Sequence, residues 1–308
     1  MRRRVLLFAP AFLLLAGCDF EDLGSSDRYT ADFHYSYPLK PGGRLSVEDF
    51  NGSIEISSWE QDSVDISGTK YAATPELRDA IKIDVVTSGD SIHVRTVRPS
   101  ERRGNLGAKY LIKVPRKVEL ERISSSNGSI RVSDTEGPAR LRTSNGGVHA
   151  SAMKGNLDVQ TSNGGIDVEN LEGSATLKTS NGRVHAEGVR GTLDASTSNG
   201  GINVHLTRAE PGKPVKLETS NGGIDLSLDT TSQNDVYAST SNAGITVRMP
   251  QSIGARVRAH TSNGSISSDF DVQVQGTISK HNLEGTIGSG GALLDLSTSN
   301  GGIRLTKL

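Results

Sequence analysis

Cysteine is almost missing from this chain. Its 308 residues hold one, Cys18, so no disulfide can form within it. Aromatic residues make up only 4%, too few for a globule built around packed rings. The 34 basic and 35 acidic side chains nearly cancel, so no net field draws the chain to nucleic acid or to acidic lipid. After residue 17 no apolar run approaches the roughly 18 residues that a membrane-spanning helix needs. Glycine is plentiful instead, at 35 residues, while hydrophobic residues reach only 34%. That balance suits a thin, repetitive β structure in which each unit buries few side chains.

The repeat itself is the tetrapeptide Thr-Ser-Asn-Gly and its near copies. Its asparagines are Asn127, Asn145, Asn163, Asn181, Asn199, Asn221, Asn242, Asn263 and Asn300. The first four steps are 18 residues, the next three are 22, 21 and 21, and the last is 37. A nearly fixed period of about 20 means one unit stacked many times. Three residues after each asparagine stands a branched apolar residue, from Ile130 and Val148 to Ile303. Four residues before it the series runs Ile123, Leu141, Val159, Leu177, Ala195, Leu217, Ala238, Ala259, Leu296. Neighbouring positions are polar, so each unit reads as two short strands with one face inward.

Asn-Gly is also a strong hairpin signal, which keeps an antiparallel β-meander open as the alternative. A parallel β-solenoid better explains why Thr-Ser precedes the turn in every copy. Stacked coils place like residues about 4.8 Å apart. Columns of asparagine amides and hydroxyls can then satisfy the backbone groups of the corner. The expected fold is therefore all-β, a solenoid with two short strands per coil of roughly 18–22 residues. Asp49-Phe50-Asn51-Gly52 is a degenerate first copy, and residues 29–122 form an irregular N-terminal part of the same stack. Residues 123–308 form the regular part. Thr74 to Ala80, opened by Thr74-Pro75, is the one helical segment expected. Asn282 reads as a worn copy, and Ile303 to Leu308 as an open C-terminal edge guarded by Arg304 and Lys307.

The N-terminus carries an address. Arg2, Arg3 and Arg4 precede an apolar stretch from Val5 to Leu15, followed by Leu15-Ala16-Gly17-Cys18. This resembles a bacterial lipobox, so residues 1–17 are read as a lipoprotein signal peptide, Cys18 as the lipidated residue and 18–28 as a polar tether. Acyl chains on Cys18 would hold the protein to a membrane. Asp19 resembles an inner-membrane retention signal, which leaves the inner and outer membranes both open.

No reaction is legible. Four residues after the asparagine, His149, Asp167 and His185 fall on successive coils, the one constellation with metal-ligand chemistry. A lone column offers no groups to orient such ligands, so a solvated ladder of charges is the favoured reading. Carboxylates are scattered and loops short, against the clustered acids of β-helix polysaccharide lyases and hydrolases. No cofactor motif is present.

Gly42-Gly-Arg-Leu-Ser-Val-Glu, Asn51-Gly-Ser-Ile-Glu-Ile, Ile112-Lys-Val-Pro115 and the Ser-Asn-Gly-Gly-Ile series together resemble a bacterial adhesin-like family of β-strand repeats. That family is a domain of unknown function related to the head GIN adhesin domains. The resemblance implies a β-solenoid at the cell envelope with adhesion proposed for it, and it brings no catalytic residues. The resulting expectation is a non-catalytic envelope lipoprotein, an adhesin or binding scaffold with polar β faces. Its partner would be an envelope or surface protein, or a glycan. A periplasmic accessory of envelope stress signalling is the alternative.

Overall fold

In a computed structural model, the structure describes residues 29–100, 104–210, 212–230, 234–274 and 279–308. The signal peptide, Cys18, Asp19 and the tether lie outside the described residues. Two long sheets face each other, of thirteen and fourteen strands. We term them sheet A and sheet B. Each coil of the stack gives one strand to each sheet.

The regular coils show why the sequence folds this way. In sheet A, Val148 pairs with Ile130 and Ile166, and Ile166 with Val184, all in parallel register. In sheet B, Leu141 pairs with Ile123 and Val159. These two apolar columns point at each other across the stack and are almost wholly buried. Burying each such side chain contributes about 2 kcal/mol. The parallel pairing settles the choice between the two architectures: the fold is a β-solenoid.

The corner glycines have a reason of their own. A Cβ on Gly146, Gly164, Gly182, Gly200 or Gly222 would meet the carbonyl oxygen of the equivalent residue one coil below at 1.8–2.0 Å. None of these five has a positive φ, so the demand is for space between stacked backbones. Ala243 occupies the same place once, which shows that the corner can yield to a single methyl. It cannot yield to a branched side chain in mid-stack. Gly164→Val is expected to cost about 3 kcal/mol by overpacking, read as a fall in the urea midpoint at unchanged slope.

Both ends depart from sequence order. At the N-terminal end, β1 (Tyr29–Pro38), β2 (Gly43–Asp49), β3 (Ile54–Trp59) and β4 (Ser63–Ala72) are followed by helix α1 (Pro75–Ala80). Then come β5 (Lys82–Ser88), β6 (Ser91–Val97), β7 (Gly107–Pro115), β8 (Val118–Ser125) and β9 (Ile130–Ser133). Thr74 caps α1 through its hydroxyl, which accepts from the Leu77 N–H, and Pro75 opens the helix. The coil β2–β3 stacks on β8–β9. The later coil β6–β7, however, stacks outside β2–β3. Antiparallel strands finish this end: β4 and then β1 on sheet A, and β5 on sheet B.

The C-terminal end repeats the device. The last two strands, Leu293–Thr298 and Ile303–Lys307, lie between two earlier coils. Their partners on one side are Val236–Thr240 and Ile245–Met249, and on the other Ala255–Thr261 and Ile266–Ser268. Ile303 to Leu308 is therefore an interior strand, and the reading of it as an open edge is wrong. Asn282 is likewise no repeat copy. It begins a strand, Asn282–Ile287, that runs antiparallel to Ala255–Thr261 and helps close sheet B.

Candidate binding surface

The corner column is built by three residue types with separate tasks. Threonine points inward: the hydroxyls of Thr143, Thr161, Thr179 and Thr197 donate to the carbonyls of Gly128, Gly146, Gly164 and Gly182 at 2.8–2.9 Å. Those carbonyls sit at the turn, where no strand partner reaches them. Asparagine points outward: Asn145 Nδ2 donates to Asn127 Oδ1 at 2.7 Å, and Asn163, Asn181 and Asn199 continue the chain at the same distance. Asn221 and Asn242 follow at 2.8 and 2.7 Å. The order then jumps, since Asn300 donates to Asn242 and Asn263 to Asn300, at 2.9 and 2.8 Å. The amide ladder thus traces the permuted coil order. Each such bond contributes about 1 kcal/mol.

The threonine column has one acid in it. Asp49 is in register with Ser125, and Ser125 with Thr143. Asp49 is only 7% exposed, and neither of its side-chain oxygens holds a hydrogen bond of full geometry. Burial pushes its carboxyl up to about 7, against the opposing pull of Thr96 and the backbone of Phe50 and Asn51. The Thr96 hydroxyl is itself 2.5 Å from Tyr110 Oη, and burial raises the Tyr110 phenol as well. Where each neighbouring coil donates a hydroxyl proton, a carboxylate has none to give. The acid form fits the column better than the ionised one.

The outward face of sheet A carries two adjacent columns. One runs Arg131, His149, Asp167, His185, Asn203, Asp225. His149, Asp167 and His185 thus stand side by side on successive strands, and Asp167 also meets Arg183 at 3.6 Å. Among the described residues no group of three His, Cys, Asp or Glu side chains converges as a metal site would require. The second column runs Ser133, Ser151, Glu169, Glu187. Two carboxylates therefore sit directly opposite each other, an arrangement that costs stability.

Beside Glu187 lies a feature that sequence reasoning missed. His205 is held between two carboxylates, with Nδ1 at 2.5 Å from Glu187 and Nε2 at 2.7 Å from Asp229. Glu187 first and Asp229 second raise the imidazole above its ordinary value. The signal was available: His205 lies two residues beyond Asn203, one coil above Glu187. Because its folded pKa is raised, the protonated ring stabilises the fold below about pH 6.5, and that contribution disappears as pH rises through the folded value. The ring is partly exposed, so His205→Gln is expected to cost no more than about 1 kcal/mol at pH 5.5 and less at pH 9. Thermal unfolding at the two pH values checks this.

Sheet B presents a more open, basic surface. Arg122, Arg140 and Arg142 border a shallow hollow with Ser124, Ser126 and Ser144. Its cations are mostly engaged: Arg142 and Arg140 with Asp158, and Arg122 with Glu48. A second hollow of about 300 Å³ follows a column of left-handed residues, Asp134, Ala152, Asn170 and Gly188. Arg190 and Lys154 flank it and both pair with Glu172. Asp49 lines the first of these hollows as well.

Two interlocked sheets with a corner ladder define the molecule as a β-solenoid repeat domain. Residues 43–252 match the family model Toastrack DUF4097, and the chain belongs to that family. Two solved structures are similar to it. One is provisionally named a cell adhesion protein, from Clostridium sporogenes, with 12% identity over 90% of this chain and 100% of that one, at a TM-score of 0.24. The other is provisionally named an adhesin, from Bacteroides fragilis, with 14% identity over 89% and 97% of the two chains, at a TM-score of 0.47. No curated protein matches the chain.

Proposed function

We propose that this chain is a non-catalytic lipoprotein of the bacterial envelope, anchored through Cys18, whose rigid solenoid binds a protein partner in the manner of an adhesin. The observation that carries the reading is the pairing of Glu169 with Glu187 on adjacent strands of sheet A. Like charges at strand spacing weaken a sheet; His205 offsets Glu187, whereas Glu169 has no ion-pair partner among the described residues, and a binding role accounts for an acid that folding does not use. Asp167, Asp225 and Asp229 nearby are already paired with Arg183, Arg248 and His205, so Glu169 is the acid that this face offers to a basic protein surface. Exposed rings for stacking on sugars are scarce, Tyr237 being the large one on the regular coils at 38% exposure. A glycan is therefore the weaker candidate.

Protease treatment of intact cells against spheroplasts tests this, with Cys18→Ala as the anchoring control. Digestion in intact cells, together with release of Cys18→Ala from the membrane fraction, is the expected outcome. Protection until the outer barrier is opened would remove adhesion. The periplasmic accessory, which Asp19 favours, would then stand in its place.

A further inference from the structure

The two ends of the solenoid are finished differently. At the C-terminal end both sheets stop in strands of three residues, Ile266–Ser268 on sheet A and Val272–Val274 on sheet B. Short terminal strands are a common protection against edge pairing. At the N-terminal end sheet A stops in β1, which is ten residues long. No described residue forms a strand on its far side. β1 contains no lysine and no bulge, and its one proline, Pro38, is its last residue.

The hydrogen-bonding groups on that open side can be identified. Leu39 N–H donates to Asp62 at 3.1 Å, continuing the antiparallel register of β1 on β4. Alternation then directs the odd-numbered residues of β1 toward β4 and the even-numbered ones outward. Thr30, Asp32, His34 and Ser36 therefore present free-side N–H and C=O groups. Arg78 of α1 reaches the Thr30 carbonyl at 3.3 Å, as this assignment requires, and α1 closes only that corner. Pro38, which has no N–H, also falls in the outward set. On the inward side, Phe33, Tyr35 and Tyr37 are only partly covered, as are Ile83 and Val85 on β5, the matching edge of sheet B.

We propose that β1 pairs with β1 of a second copy of this chain, antiparallel across a two-fold axis at Phe33, joining two solenoids end to end. Charge complementarity selects the partner and the register. His34 holds Asp65 of its own chain through Nε2 at 2.5 Å, and Asp32 accepts from the Thr69 hydroxyl through Oδ1 at 2.7 Å, which leaves His34 Nδ1 and Asp32 Oδ2 for the other copy. Centred on Phe33, the pairing sets Asp32 opposite His34 of the other copy, twice, and Thr30 opposite Ser36, twice. All four are outward-directed residues: Asp32 and His34 make hydrogen-bonded pairs, and Thr30 and Ser36 do so where Arg78 shares or yields the Thr30 carbonyl. Ala31 faces Tyr35 and Tyr29 faces Tyr37 on the apolar side. Moving the centre to Asp32 or to His34 would set like groups against each other. The resulting rod would have its two tethers near the middle and its free ends pointing apart.

The test is the molar mass of the full chain in mild detergent, by light scattering after gel filtration, at a concentration on the order of 0.1 mM where weak pairing is populated. The wild type is expected at twice the protein mass of one chain. Ser36→Pro, which removes one outward N–H from an edge that tolerates proline, is expected to give single chains with unchanged thermal unfolding. In a chain carrying Asp65→Asn, so that position 34 meets no carboxylate of its own chain, Asp32→His alone and His34→Asp alone should each weaken the dimer at least tenfold, and the two together should restore it. A single-chain wild type overturns the proposal, and so does a Ser36→Pro dimer. Equal behaviour of the single and double variants overturns the register. Amide exchange at Asp32, His34 and Ser36 separates the remaining case. Protection lost on dilution supports pairing of copies, whereas protection at every concentration would assign the edge to the tether and overturn the dimer. None of these readouts depends on which membrane face the protein occupies.

Discussion

Deleting residues 293–308 is expected to do far more than shorten the solenoid by one coil. These residues bury Leu294, Leu296, Ile303 and Leu305, each at 2% exposure or less. At about 2 kcal/mol each, roughly 8 kcal/mol of burial is lost, an upper estimate for the direct effect. In an ordinary solenoid the terminal unit touches only one neighbour. Here the deleted coil touches two, so its removal also parts Ala255–Thr261 and Ile266–Ser268 from the rest of the stack. Urea unfolding should lose its single transition, and limited proteolysis should cut between residues 250 and 292 first. A truncated chain that unfolds in one step near the wild-type midpoint would rule out the interlocked arrangement. Leu305→Asp is a milder route to the same state, since it buries one unpaired carboxylate in that coil.

The second large effect is a gain. Asp49→Asn is expected to stabilise the protein at alkaline pH by about 4 kcal/mol, taking 1.36 kcal/mol per pKa unit. The sign follows from the carboxyl being raised to about 7 in the fold from a model value of 3.8. Between those values the folded chain holds a proton that the unfolded chain has released, so the wild type loses stability as pH rises from about 4 to 7. The amide cannot ionise, so the difference between variant and wild type should grow over that window and level off above it. Urea midpoints at pH 4, 6 and 8 measure it. A constant difference across the three would show that Asp49 stays ionised in the fold.

Most of the regular stack was legible because one chemical rule recurs in it. Asparagine, glycine and a branched residue three positions on repeat with few exceptions, and the parallel register follows from stacking like on like. The ends were not legible for the same reason. Coils that look alike in sequence can exchange neighbours without any local sign, so Asn300 could sit between Asn242 and Asn263 as readily as beyond them. The C-terminal edge was misjudged on that account. Asn282 was misjudged because spacing alone cannot separate a worn repeat from an unrelated turn.

The candidate face was only partly legible. The column of His149, Asp167 and His185 could be counted off the period, but its meeting with Arg183 could not. Asp49 could have been singled out, since it stands where the other copies place threonine or serine. His205 required the neighbouring column to be counted as well.

Interlocked ends also govern how such a protein can change in length over descent. A duplication at the C-terminus would have to displace a coil already held on both sides. Between Thr143 and Gly200 no such obstacle exists, and each 18-residue unit there meets its neighbours through the same corner and the same two apolar columns. Gain or loss of one unit would move the ends apart or together by about 4.8 Å and leave both closures untouched. The stack is thus adjustable in length between fixed closures, and its descendants should differ in the number of middle coils.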